Sequence, residues 1–71
     1  MTPEQLAKDA ADALALGTRM TLVRGKGSRM PPKFPRGELL CEQHDGRRAY
    51  TYDPELVLAW LVANRLVEVQ R

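Results

Sequence analysis

With 71 residues, 44% of them hydrophobic, and a formal net charge of +2, the chain has room for one domain with a small core. A supported, deep catalytic pocket is hard to build at this size, and no dense cluster of His, Asp and Glu is present, so the composition speaks against an enzyme. The charge is uneven: residues 1–18 net −2, residues 19–36 carry six cations and no acid, and residues 37–71 net −2, which concentrates a positive field in one segment.

Thr2-Pro3-Glu4-Gln5 predicts a helix start. Thr2 caps, Pro3 suits the first helical position, and Gln5 completes a capping box. Leu6, Ala10, Ala13 and Leu14 then recur on one face at helical spacing, and Gly17 is a natural stop, giving a helix over about 3–16. Core packing is the expected role of that stripe. Met20 to Arg24 alternates and reads as a strand. The segment 25–37, Gly-Lys-Gly-Ser-Arg-Met-Pro-Pro-Lys-Phe-Pro-Arg-Gly, is too rich in Gly and Pro for helix or strand and is expected to be a disordered or extended loop.

Glu38–Gln43 and Arg47–Tyr52 read as the second and third strands. Asp45-Gly46 between them predicts a two-residue hairpin turn. That register pairs Cys41 with Tyr50 and Leu39 with Tyr52 and puts these four residues on the core side. Glu42 and Thr51 then face the other way. Asp53-Pro54-Glu55 starts a second helix, and Leu56 to Ala63 is apolar nearly all round. Trp60 is expected at the centre of the core, and Asn64 is expected to end the helix in a left-handed conformation. Leu66 to Val69 alternates and suggests a short final strand. The expected fold is a single α+β domain, residues 1–71: a small, mainly antiparallel sheet with a β-hairpin, packed by two helices in the order α-β-loop-β-β-α-(β).

Cys41 is the single cysteine, so no internal disulfide forms, which fits a reducing cytoplasm. It is expected to be buried. The N-terminal residues are acidic and alanine-rich rather than a secretory leader, and Leu56 to Ala63 is too short to cross a bilayer.

Three chemistries suit residues of the loop to different degrees. Gly25-Lys26-Gly27-Ser28 after a strand fails as a Walker A cradle, because Ser or Thr must follow the Lys and a helix must follow that, whereas Pro31 and Pro32 forbid one. As a nucleic-acid contact it is better suited. Arg24, Lys26, Arg29, Lys33 and Arg36 neutralise phosphates, Gly25 and Gly27 let the backbone approach, and Phe34 either stacks on a base or folds back onto the core. Arg47 and Arg48 at the hairpin extend the patch. As a protein-docking segment, Arg29-Met30-Pro31-Pro32-Lys33-Phe34-Pro35 has a basic residue ahead of P-x-x-P. Cys41 and His44 have C-x-x-H spacing without a second ligand pair, so no metal or other cofactor is expected. Tyr50 and Tyr52, near arginines on a strand, could stack on single-stranded nucleic acid, but they lack the rest of such a motif and are expected to pack under the second helix.

Phe34-Pro35-Arg36-Gly37-Glu38-Leu39-Leu40, Tyr50-Thr51-Tyr52-Asp53-Pro54 and Val57-Leu58-Ala59-Trp60-Leu61 resemble small uncharacterised proteins of tailed bacteriophages and prophages of proteobacteria, over about residues 18–63. The resemblance implies a regulator, an inhibitor of a host protein or an assembly factor, working in the host cytoplasm. The leading expectation is a non-enzymatic, regulatory binder whose basic loop contacts DNA or RNA. The alternative is a modulator of a host or phage protein, acting through the loop or the apolar second helix, with a homodimer as one form. No membrane association is expected.

Overall fold

The computed structural model describes residues 2–67. Its elements are α1 (Pro3–Leu16), β1 (Met20–Arg24), β2 (Glu38–Glu42), β3 (Arg48–Tyr52) and α2 (Pro54–Ala63). The strands form one antiparallel sheet in the order β1-β3-β2, an α+β fold. Among the described residues no helix is long and apolar enough to cross a membrane. Leu66 and Val67 form a bend rather than a strand, and residues 68 and 69 of the expected final strand lie outside the described part.

The first helix begins and ends on its capping residues. Thr2 Oγ1 accepts from the Gln5 amide at 3.2 Å, and Gly17 closes the helix at φ +70°. The reciprocal half of the capping box does not form. The Gln5 side chain donates instead to Asp9 Oδ1 at 3.0 Å, one turn further on. In α2, Asp53 caps by accepting from the Glu55 amide. Asn64 is not the left-handed residue; Arg65, at φ +56°, is. Arg65 N donates to the Val62 carbonyl and Leu66 N to the Leu61 carbonyl, each at 3.0 Å, so the backbone inverts one residue later than expected, and the Asn64 side chain adds a bond to the Trp60 carbonyl at 2.8 Å.

Cross-strand pairing of Met20 with Tyr52, Leu22 with Tyr50 and Arg24 with Arg48 puts these six residues on one face of the sheet. The helices cover that face. Ala10, Ala13, Met20, Leu22, Tyr52, Val57 and Leu61 form the buried cluster. The alanines of α1 let α2 come close. Trp60 is half-buried at the rim of this cluster, not at its centre, which Tyr52, Leu61 and Val57 occupy.

The hairpin departs from the expected register for a local reason. A two-residue Asp-Gly turn needs positive φ at both central residues, and Asp45 does not adopt it. The loop has three residues, 44–46: Gly46 N donates to the Gln43 carbonyl at 3.0 Å, Gln43 N donates to the Arg47 carbonyl at 2.7 Å, and Gly46 alone is left-handed, at φ +89°. Cys41 therefore pairs with Ala49 and Glu42 with Arg48; an irregularity between Leu39 and Cys41 then brings Leu39 opposite Tyr50. A shift of one residue exchanges faces. Cys41 is exposed on the uncovered side, and Glu42 moves to the side carrying Tyr50.

Candidate nucleic-acid interface

The segment 25–37 is built from two turns rather than an extended tether. In the first, Ser28 N donates to the Gly25 carbonyl at 3.1 Å with Gly27 at φ +77°. Positive φ at that third position is what a type II turn demands and what glycine adopts freely. In the second, Phe34 N donates to the Pro31 carbonyl at 3.2 Å, with Pro32 ahead of Lys33 at φ +61°. Proline suits the second position of such a turn, and the left-handed Lys33 interrupts any continuous polyproline II conformation, so the P-x-x-P spacing is not presented as an extended ligand.

The loop leaves β1 at Arg24, opposite Arg48, and enters β2 at Glu38, opposite Thr51. It thus returns along the length of the sheet. Its anchor is Phe34, half-buried, whose ring meets Tyr52 edge-to-face at 5.5 Å and Trp60 at 4.9 Å. Trp60 Nε1 donates to the Pro32 carbonyl at 3.2 Å, and Met30 packs on the same cluster. Where the loop rejoins the sheet, a Cβ on Gly37 would sit 2.6 Å from the Tyr52 ring, so only glycine lets the chain pass. The aromatic anchor explains how a Gly/Pro segment is held against the fold.

The eight candidate residues fall into distinct environments. Lys26, Arg29, Lys33 and Arg36 are exposed, and among the described residues they take part in no ion pair and no side-chain hydrogen bond. Arg24 is half-buried. Its guanidinium lies 4.9 Å over the Tyr50 ring, and it donates to Ser28 Oγ at 3.3 Å and to the Ser28 carbonyl at 2.9 Å. Arg47 is paired with Asp45 at 2.7 Å, and Arg48 stands 4.0 Å from Glu42. The Arg47 amide, followed by its guanidinium, holds the Asp45 carboxyl below the usual carboxylate range. Phe34 points into the aromatic cluster. Arg19, counted in the basic segment, donates to Thr51 Oγ1 and its carbonyl, each at 3.2 Å, on the uncovered face of the sheet.

The structure brings Arg24, Lys26 and Arg48 together around one concavity of about 420 Å³ beneath the first turn, with Ser28, Glu42 and Tyr50 in its wall. Arg29, Lys33 and Arg36 lie outside that lining, further along the loop. Glu42 was not legible as a site residue, because the two-residue hairpin register puts it on the wrong face. Among the described residues, no group of three or more His, Cys, Asp or Glu stands together as a metal site. No protein-family model matches the chain, and no curated protein or solved structure matches it.

Proposed function

We propose that the protein is a non-enzymatic nucleic-acid binder that grips the phosphate backbone with the 25–37 loop, in a regulatory role of the phage type. The observation that carries this reading is the set of four exposed cations, Lys26, Arg29, Lys33 and Arg36, none with an ionic partner among the described residues. They are strung along a loop anchored by Phe34, so little ordering is needed on binding. Because the Phe34 ring is engaged with Tyr52 and Trp60, the contact is to phosphates rather than by stacking on a base. Four neutralised phosphates give a salt slope near −3 for single strands, a loss of about 50-fold between 50 and 200 mM salt. Fluorescence anisotropy with mixed-sequence oligonucleotides tests this. Changing all four cations to Ala should abolish the salt-dependent binding; unchanged binding would sink the reading.

A second reading, protein binding, is favoured by a different observation. Val57 and Leu61 are fully buried, but Leu56 and Val62 on α2 and Leu14 on α1 remain exposed. A partner protein or second copy covering these residues would account for the all-round apolar character of α2. Sedimentation equilibrium checks the homodimer: Leu56→Lys should dissociate it, and a monomer at millimolar concentration excludes it.

A further inference from the structure

The concavity under the first turn has a composition unlike the rest of the surface. Arg24, Lys26 and Arg48 line it against one acid, Glu42, which leaves a local charge of +2. The amides of Gly25, Lys26 and Gly27 make no backbone hydrogen bond among the described residues. Unpaired backbone amides at a glycine-containing turn beside cations are a common way of holding oxyanions. The geometry also restrains the cations. Arg24 is clamped by Ser28 and by the face of Tyr50, and Lys26 lies over the hairpin, with its Cδ 3.7 Å from where a Cβ on Gly46 would stand. Turn and hairpin are therefore two walls of one cup, and the three-residue hairpin loop is what turns Glu42 into it, onto the face that Arg48 already shares with Tyr50.

We propose that this cup is a phosphate-binding subsite, and that the group it takes is a phosphate carried on a nucleotide. The site has the volume of a small-ligand pocket. Its +2 charge matches the −1.5 to −2 of a phosphomonoester at neutral pH better than the single charge of a diester. A terminal phosphate is thus the preferred occupant, and an internal one shares the same chemistry. Glu42 has a defined role here. At 4.0 Å it is loosely paired with Arg48, and it limits the affinity for anions by opposing them. The inference deepens the nucleic-acid reading and rests on it for the source of the phosphate.

The test is an NMR titration of the labelled protein with sodium phosphate, AMP, and a thymidine tetranucleotide with and without a 5′-phosphate. The amides of Gly25, Lys26, Gly27 and Ser28 should shift with each phosphate-bearing probe. Arg48→Gln should weaken AMP about threefold to fivefold, the effect of one unit charge on a phosphate of about −1.5 to −2 at about 5 Å in a water-like dielectric, screened at about 0.1 M salt. Glu42→Gln should tighten AMP by a similar factor, a gain that misfolding cannot produce. Preference for the 5′-phosphorylated strand identifies a terminal phosphate; equal shifts in the cup identify an internal one, and either supports the subsite. Silent cup amides, or an AMP affinity indifferent to both variants, overturn it. If oligonucleotides bind with a steep salt slope while the cup stays silent, the subsite falls and the broader reading stands. If the cup answers AMP but no oligonucleotide binds at low salt, the broader reading falls and the cup is a mononucleotide site.

Discussion

Replacing Phe34 by Ala tests whether the basic loop is held by its aromatic anchor. Truncating a fully buried Phe costs about 3–5 kcal/mol. Phe34 is half-buried, which roughly halves the transfer part, but it also loses its edge-to-face contacts with Tyr52 and Trp60, each contributing about 0.5–1.5 kcal/mol. The expected loss is about 2–3 kcal/mol, a fall in Tm of roughly 10–20 °C for a domain of this size. Urea denaturation followed by tryptophan fluorescence measures it, because Trp60 is the only tryptophan and its indole N–H is bonded to the loop at Pro32. The native spectrum should shift to the red as the indole meets water. Phe34→Leu, which keeps most of the volume, should cost under about 1.5 kcal/mol. A loss below about 0.5 kcal/mol for Phe34→Ala, with an unshifted spectrum, would refute the anchoring and with it the claim that the cations are preorganised.

Three further outcomes are expected. Gly37→Ala places a methyl 2.6 Å from a Tyr52 ring that is 1% exposed and cannot swing away; it should cost about 1–3 kcal/mol, and a double-mutant cycle with Tyr52→Leu should recover much of that. Tyr52→Phe should be neutral or stabilising by up to about 1 kcal/mol in thermal melts, since the Tyr52 hydroxyl is buried without a hydrogen-bond partner among the described residues and removing it leaves no orphaned group. Asp45 has a lowered pKa, chiefly through the Arg47 amide, so its contribution to the hairpin is present above the unfolded value of about 3.9 and is lost as pH falls through the lower folded value. A carboxyl NMR titration should place its midpoint below that of a free aspartate, and Asp45→Asn should remove the corresponding pH dependence of the hairpin shifts.

Much of the architecture follows from local chemistry that the sequence displays. Thr2-Pro3 and Gly17 bound α1, Asp53-Pro54 starts α2, and the alternation in Met20–Arg24 and Arg48–Tyr52 marks two strands. Capping groups and turn residues act within a few positions of themselves, so their signals are readable along the chain. The basic segment was equally visible, because charge is a property of composition. What the linear order could not decide was which residues meet. A one-residue difference in loop length, with the Asp45 carboxylate held by the Arg47 amide and guanidinium, exchanged the faces of Cys41 and Glu42. The fold of the 25–37 loop depended on non-local events, the packing of Phe34 against Tyr52 and Trp60 and the passage of Gly37 beside the Tyr52 ring. Only the tertiary structure therefore set Arg29, Lys33 and Arg36 along the loop apart from a walled cup in which Arg24, Lys26 and Arg48 face one acid. Sequence carries the sign and number of the charges, while the long-range packing of three aromatic rings and the register of one hairpin determine where they point.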